Sequence, residues 1–551
     1  MDGTGSLNAL DWSVIALYFA LVFGVAIAAG RRGRGSQRDF FLAGRNVGWF
    51  VVGASIFASN IGSEHLVGLA GTAAAPVEEG GGVPVAQFEI MAGLVLLLLA
   101  WLFAPFYLRS GVFTMPEFLE RRYSAGPRAY LAWLSVVGYV LTKISVTIAA
   151  GGIVFETLMG VPFWTGAILI VLITGAYTVW GGLRVVLYTD MVQMFILLGG
   201  ALCVSAFGLS ALGGVEGMRA AVAPEALSLW RGMNHPEFPW TGILFGAPIL
   251  AVWYWCTDQF IVQRVLSAHG LAEARRGALF AAYLKQLPLF LFVLPGVIAL
   301  ALSNTGRLEL AESDAALPAL ITALLPGGLR GLVAAGLLAA LMSSLSSTFN
   351  SCSTIITVDI YRRMHPRASE PHLVRVGQLA TIGMVGLALL WIPNMNLVGG
   401  TLFIYLQSVQ AYIAPPIAAV FLLGVLWRGA TAWGASAALA VGALLGLSRL
   451  LLEMSAGRLG EGTLLRALAD ENFLHIAIGI FAASVAVLVA VSLIWPRPQP
   501  AGAGYGLREA AAPGAPPAPG AAQDTPERRR QDALLSAGVV VLILALWAIF
   551  S

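Results

Sequence analysis

The sequence predicts an all-α protein that crosses a membrane many times. Three observations carry this prediction. Of 551 residues, 58% are hydrophobic and only 11% charged, less than half the ~25% charged residues of a soluble domain. The apolar residues fall into fourteen runs, each near the ~20 residues that a bilayer requires of a helix. Two of these runs, five apart in order, are broken by polar residues, and broken helices at corresponding places in two halves of a chain point to an inverted-repeat architecture with a binding site at mid-membrane.

The fourteen runs cover 11–30, 47–75, 84–107, 128–159, 162–180, 185–213, 240–262, 276–303, 327–361, 373–394, 397–427, 431–453, 472–495 and 533–550. The first lacks an A-x-A-like cleavage site and is read as a retained helix rather than a signal peptide. Arg31, Arg32, Arg34, Arg38 and Arg45 follow the first run, Arg109, Arg121, Arg122 and Arg128 the third, and Arg275 and Arg276 the seventh. Arg362, Arg363, Arg367 and Arg375 follow the ninth, and Arg528, Arg529 and Arg530 precede the last. With fourteen crossings these loops share one side, the cytoplasm by the positive-inside rule, and both termini face outward. Residues 496–532 are rich in Pro, Ala and Gly without apolar periodicity, which predicts a disordered cytoplasmic linker. The stretch 214–239 reads as a mixed external loop, and 307–326, with Glu309, Glu312 and Asp314, as a loop holding a short external helix.

The net charge of +3 is small and scattered, so nothing points to a nucleic-acid partner. Cys203, Cys256 and Cys352 lie in apolar runs at unrelated spacings and suggest neither a disulfide framework nor a metal site. Only two lysines, Lys143 and Lys285, stand among the 32 basic residues, and both fall inside apolar runs.

Run 47–75 contains Ala58, Ser59, Asn60, Ile61, Gly62, Ser63, Glu64 and His65. An unpaired polar group in hydrocarbon costs several kcal/mol, and an ionisable one at membrane depth is by default a functional-site candidate. The pattern predicts a helix whose backbone opens for a small polar guest and an ion. The second interruption lies around Trp253, Tyr254, Trp255, Cys256, Thr257, Asp258 and Gln259.

In run 327–361, positions 340, 343, 344 and 347 share one helical face, and Ser343, Ser344, Ser346 and Ser347 crowd five positions. Such serines either bond their own i−4 carbonyls or, with carbonyls freed near Ala58 and Ile61, supply oxygens for a dry sodium ion. Asp190 is either an interfacial helix cap or an anionic cation ligand. Asp258 and Asp359 are weaker candidates, and Asp359 sits beside Tyr361, Arg362 and Arg363 at an interface. Glu89 and Lys285 form either a structural ion pair or the acceptor and donor of a site for a hydroxylated solute. Phe88, Tyr254 and Trp255 offer that solute an aromatic face, and Gln407 an amide. No G-x-S-x-G or H-E-x-x-H pattern supports an enzyme.

The blocks ASNIGSEHLVGLAGT, TMPEFLERRY, VLTKIS, YTVWGGLRVVLYTD, WYWCTDQFIVQRVLSA, YLKQLPLF, LMSSLSSTFNSCST and APPIAAVFLLGVLW together resemble the sodium/glucose cotransporters of the sodium:solute symporter family, from about Phe40 to Trp427. The resemblance implies a LeuT-type 5+5 inverted-repeat core over 47–427. A leading helix and cytoplasmic loop (1–46), two trailing helices (428–495), the linker (496–532) and a final helix (533–551) complete the chain. It implies sodium-coupled hexose symport in a bacterial inner membrane, with two sodium ions and no organic cofactor. Carried over residue by residue, the sugar site is Asn60, His65, Glu89, Tyr254, Trp255, Lys285 and Gln407, with Phe88 and Phe403 as outer aromatics, and Glu64 beside His65 is added to it as a residue that helps set which sugar is chosen. One sodium site is the carbonyls of Ala58, Ile61 and Ala340 with the hydroxyls of Ser343 and Ser344; a second is Asp190, Ser343, Ser346 and Ser347. Ile404, Ala251, Glu64 and Thr147 depart from the family pattern, and the last leaves Lys143 with no evident partner. Other polyols, mannose, myo-inositol or sialic acid, and a sugar sensor that does not transport, are the alternatives.

Overall fold

A computed structural model describes residues 7–31, 36–62, 64–310, 312–391, 402–496 and 524–551. Among them every long element is helical, and eleven helices are long and apolar enough to cross a membrane. In chain order the main elements are α1 (Ala9–Gly30), α2 (Trp49–Asn60), α3 (Val77–Ser110), α4 (Ala125–Met159), α5 (Phe163–Leu212), α6 (Gly242–Thr257) and α7 (Gln259–Leu266). They continue with α8 (Leu271–Asn304), α9 (Leu329–Met364), α10 (Glu370–Trp391), α11 (Leu402–Leu426), α12 (Ala432–Met454), α13 (Phe473–Ile494) and α14 (Pro526–Ile549).

The runs read as 162–180 and 185–213 form the single element α5, sharply kinked at Gly182 (φ 56°, ψ −157°). A Cβ there would lie 2.5 Å from the Phe40 carbonyl oxygen, so the kink needs glycine's freedom and the close approach it allows. The two runs read as interrupted are broken. α2 stops where Ile61 turns extended (ψ 109°), and the chain resumes as the wide turns of Glu64–Leu69 and the helix Ala70–Ala74. α6 stops where Asp258 turns extended (ψ 129°), and its side chain caps α7 by accepting the Phe260 N–H at 3.1 Å. The stretch 307–326 holds a short helix, Ala316–Leu324, just after its acidic residues.

α9 is buried over nearly its whole length. It packs most extensively against α5 and also contacts α1, α2 and α4. Its serine face is therefore enclosed by protein and withdrawn from lipid. Most of the predicted linker, 497–523, lies outside the described residues. The last helix begins at Pro526 rather than at 533, with Thr525 as its N-cap. Hydropathy misses these first two turns because they are charged. Arg275 reaches Asp524 at 2.8 Å and Arg276 reaches Asp532 at 2.8 Å, holding α14 on α8.

Candidate functional site

Wide π-type turns interrupt several helices, and π-bulges gather at functional sites because they re-aim side chains. Here such turns carry Glu64 and His65, Lys143, and Tyr254 and Trp255. Together with α2, α3 and α11 they line a cavity of about 70 Å³. At roughly 10–15 Å³ per water, it holds several waters.

Eight of the ten residues assigned to the solute from sequence line this cavity: Asn60, Glu64, His65, Phe88, Glu89, Tyr254, Trp255 and Gln407. Lys285 closes its wall from behind. Its Nζ bonds Glu89, donates to Asn60 Oδ1 at 2.5 Å, and lies 5.1 Å from the Trp255 ring centre. The other Glu89 oxygen is 3.2 Å from His65 Nε2, and Asn60 Nδ2 donates to the Tyr254 hydroxyl at 3.0 Å. One polar network thus joins both broken helices to α3 and α8. Phe403 and Ile404 lie outside the residues whose side chains are described.

Buried charges persist only when paired and hydrogen-bonded, and Lys285, with no exposed side-chain surface, meets both conditions. The network also presents acceptors, donors and aromatic faces to the cavity, the mixture a hydroxylated solute requires. Ala251, the small residue noted as a departure, lines the cavity as well.

The break in α2 stands against the serine face of α9. The N–H of Gly62, which a continuous helix would aim at the Ala58 carbonyl, lies instead 3.5 Å from His65 Nδ1. A Cβ on Gly62 would sit 3.1 Å from Ser344 Oγ. Ala58, Ile61, Ala340, Ser343 and Ser344 are all buried. At the second proposed sodium position, Asp190 accepts from Ser343 Oγ at 2.6 Å and from Ser55 Oγ at 2.5 Å. Ser346 Oγ donates to the Ser343 carbonyl at 3.0 Å, a bond that uses its hydrogen and not its oxygen lone pairs.

Two groups in this region, Arg264 and Gln410, escaped the sequence reading, and a third, Lys143, was read without its partner. Arg264, buried on α7, lies 3.6 Å from Asp190, donates to Ser55 Oγ at 2.9 Å and bonds Ser347 Oγ. The signal was available, since an arginine inside the apolar stretch Gln259–Leu266 is itself an ionisable group at membrane depth. Gln410 lines the cavity, one helical turn after Gln407 and on the same face. Lys143 also lines it, and the reading that left Lys143 without a partner is corrected: its Nζ is 3.5 Å from Asp258 Oδ2 and 4.2 Å from the Tyr254 ring centre. The partner is remote in sequence and arrives through the α6 break.

Comparison with known proteins gives concordant results. The rabbit sodium/glucose cotransporter 1 is 38% identical over 88% of this chain and 79% of its own length. The bovine sodium/mannose cotransporter is 42% identical over 90% and 88%, and the mouse sodium/myo-inositol cotransporter 2 is 41% identical over 81% and 71%. Among solved structures, a Na+-coupled sialic acid symporter in a substrate-bound outward-open state aligns with a TM-score of 0.74 over 89% of this chain and 98% of that one, at 21% identity. A nucleobase-cation-symport-1 family transporter in a closed conformation aligns at 0.54, with 84% and 97% covered and 15% identity. These two establish the shared fold. Residues 40–442 match the sodium:solute symporter family, and the chain is therefore a member of that family.

Proposed function

We propose that this protein couples the entry of sodium to that of a hexose, glucose or galactose foremost, by alternating access. The observation that carries the proposal is the Asn60–His65–Glu89–Lys285 network on the cavity wall, built on the same broken helix whose Gly62 abuts Ser344. One unwound turn thereby addresses both ligands. As a sodium:solute symporter the chain is a multi-pass membrane protein and a transporter, not an enzyme.

In this reading sodium binds the carbonyls of Ala58, Ile61 and Ala340 and the hydroxyls of Ser343 and Ser344, tying α2 to α9. The tie fixes Asn60 and His65 in place for the solute. Glu89, Asn60, Lys285 and Gln407 then exchange hydrogen bonds among themselves or with water for bonds to solute hydroxyls. Glu64 helps to select the sugar from the cavity wall. Phe88 and Phe403 close above the solute, and Tyr254 lies beneath it. Two sodium ions cross per sugar, the second near Asp190, Ser343, Ser346 and Ser347, where it shares the carboxylate with Arg264. Two charges moving through the membrane potential supply ~4.6 kcal/mol per 100 mV, about three decades of solute accumulation at ~1.4 kcal/mol per decade. We further assign fourteen crossings, with α5 counted as two about Gly182, both termini outside, the ten-helix core to 47–427, and residence in a bacterial inner membrane.

A second reading substitutes mannose or myo-inositol for glucose; the bovine and mouse relatives at 42% and 41% identity favour it. Uptake of labelled glucose, galactose, mannose and myo-inositol into reconstituted vesicles, with and without an inward sodium gradient, decides between them. Sodium-driven uptake of one solute identifies the substrate. Binding of a solute without uptake assigns the protein to sensing and overturns the symport proposal.

A further inference from the structure

Lys143 and Asp258 are not used by the reaction cycle above, yet they sit at its centre. A second cavity, of about 50 Å³, adjoins the first. Its walls include Ser135, Tyr139 and Thr142 of α4, Trp253 and Asp258 at the α6 break, and Ile417 of α11. Lys143 and Gln410 line both cavities. The second cavity lies toward the arginine-rich ends of its helices. α4 enters from that end at Arg128, and α11 leaves there, where Arg122 donates to the carbonyls of Gly424 and Trp427.

We propose that this second cavity is an inner subsite for the same hydroxylated solute, and that Lys143, held by Asp258 beneath Tyr254, is the movable partition between it and the central site. The inference rests on the symport reading. Three observations carry it. First, the chemistry repeats: the hydroxyls of Ser135, Tyr139 and Thr142, the Asp258 carboxylate and the Gln410 amide again offer donors and acceptors beside an aromatic ring, that of Trp253. Second, the partition is lightly held. Lys285 is gripped by Glu89 and Asn60, whereas Lys143, attracted also by the Glu64 carboxylate on the wall of the first cavity, meets Asp258 at 3.5 Å and rests against rings, 3.7 Å from the centre of Phe260 and 4.2 Å from that of Tyr254. Third, Asp258 is the extended residue at which α6 breaks. Any re-angling of α7 against α6 turns at this residue and displaces the anchor of Lys143. Each cavity holds only several waters at roughly 10–15 Å³ apiece, so passage of a sugar requires the partition to move.

Gly138 offers a clean probe, because it borders the second cavity and a Cβ there meets no atom within 4 Å. Full-length protein is purified for equilibrium binding and reconstituted for uptake, with labelled D-glucose, D-mannose and myo-inositol in parallel. Gly138→Phe should keep sodium-dependent binding within about threefold of the unmodified protein while lowering uptake about tenfold or more, the split expected when a later step and not the first binding event is hit. Gly199→Ala, on α5 where the residue borders neither cavity and a Cβ meets no atom within 4 Å, should match the unmodified protein in both. Lys143→Met should raise sodium-independent efflux of preloaded solute severalfold. Uptake that survives Gly138→Phe intact, or binding that falls in step with uptake, overturns the inner subsite; unchanged efflux in Lys143→Met overturns the partition. Absence of sodium-dependent uptake in the unmodified protein overturns the symport reading first, and this inference with it.

Discussion

Glu89→Gln is the substitution whose consequences the geometry defines most closely. It keeps the side chain's size and removes its charge, leaving the Lys285 ammonium, among the described residues, with neutral oxygen acceptors such as Asn60 Oδ1 and no exposed side-chain surface. Breaking one half of a buried pair costs about 3–5 kcal/mol, so the variant should unfold at a markedly lower temperature. It should also lose a charged acceptor for a solute hydroxyl, worth about 1.5–3 kcal/mol, or about 10–150-fold in apparent solute affinity at 1.4 kcal/mol per decade. These two effects separate in the double variant Glu89→Gln/Lys285→Met. Removing both charges relieves the unpaired buried ammonium of the single variant, so much of the thermal stability should return while uptake stays low. Thermal unfolding in detergent and sodium-driven uptake in vesicles supply the two readouts. Uptake by the double variant within about threefold of the unmodified protein, less than 1 kcal/mol at 1.4 kcal/mol per decade, would reduce the pair to a structural tie and refute its role in solute binding.

Other perturbations read other parts of the site. Gly62→Ala brings a methyl to 3.1 Å from Ser344 Oγ; overpacking of this kind costs about 1–3 kcal/mol, and the sodium dependence of uptake should shift to higher concentration by about tenfold or more. Ser346→Ala should lower the sodium:solute flux ratio in vesicles while leaving solute binding partly intact; an unchanged ratio removes the second ion site. Outside the membrane, burial and then the nearby Arg231 hold the His235 imidazole below its ordinary pKa, and its neutral Nδ1 accepts the N–H groups of Glu237 and Phe238 at 3.2 and 3.1 Å. Because the folded value is the lower one, this loop's contribution to stability is complete above an ordinary imidazole pKa of about 6.5 and declines as pH falls through the depressed value. A thermal-unfolding series across that window should flatten in His235→Gln. Phe238 also lies edge-on to Phe88, with ring centres 6.2 Å apart.

The elements were legible where polar residues intrude on apolar runs. The α2 break at Ile61 and Gly62 is visible because Asn60, Glu64 and His65 have no place in hydrocarbon unless the fold uses them. The same logic located Glu89 and Lys285, whose pairing the structure displays. Hydropathy failed where charges satisfy one another. The first turns of α14 carry Arg528, Arg529 and Asp532, and they become helical because Arg276 and Glu273 on α8 meet them. Register set by tertiary contact was equally hidden. Lys143 and Asp258 are brought together by two separate interruptions of helical geometry, and the placement of Arg264 between Asp190 and Ser347 depends on where α7 starts after its Asp258 cap. The kink that merges two runs into α5 depends on one backbone conformation, that of Gly182, which apolar periodicity does not report.

The central claim is that one unwound turn, from Ala58 to His65, couples sodium to solute. Coupling of this kind is reciprocal: each ligand must raise the affinity of the other by the same factor, typically about 5–150-fold. The most direct measurement is a pair of equilibrium titrations on the purified protein, labelled solute with and without saturating sodium, and sodium with and without saturating solute. The account predicts that the factor by which saturating sodium raises solute affinity equals the combined factor by which saturating solute raises the affinities of the two sodium ions, falling in Ser344→Ala while solute binding itself survives. Solute affinity that is the same with and without sodium would contradict it.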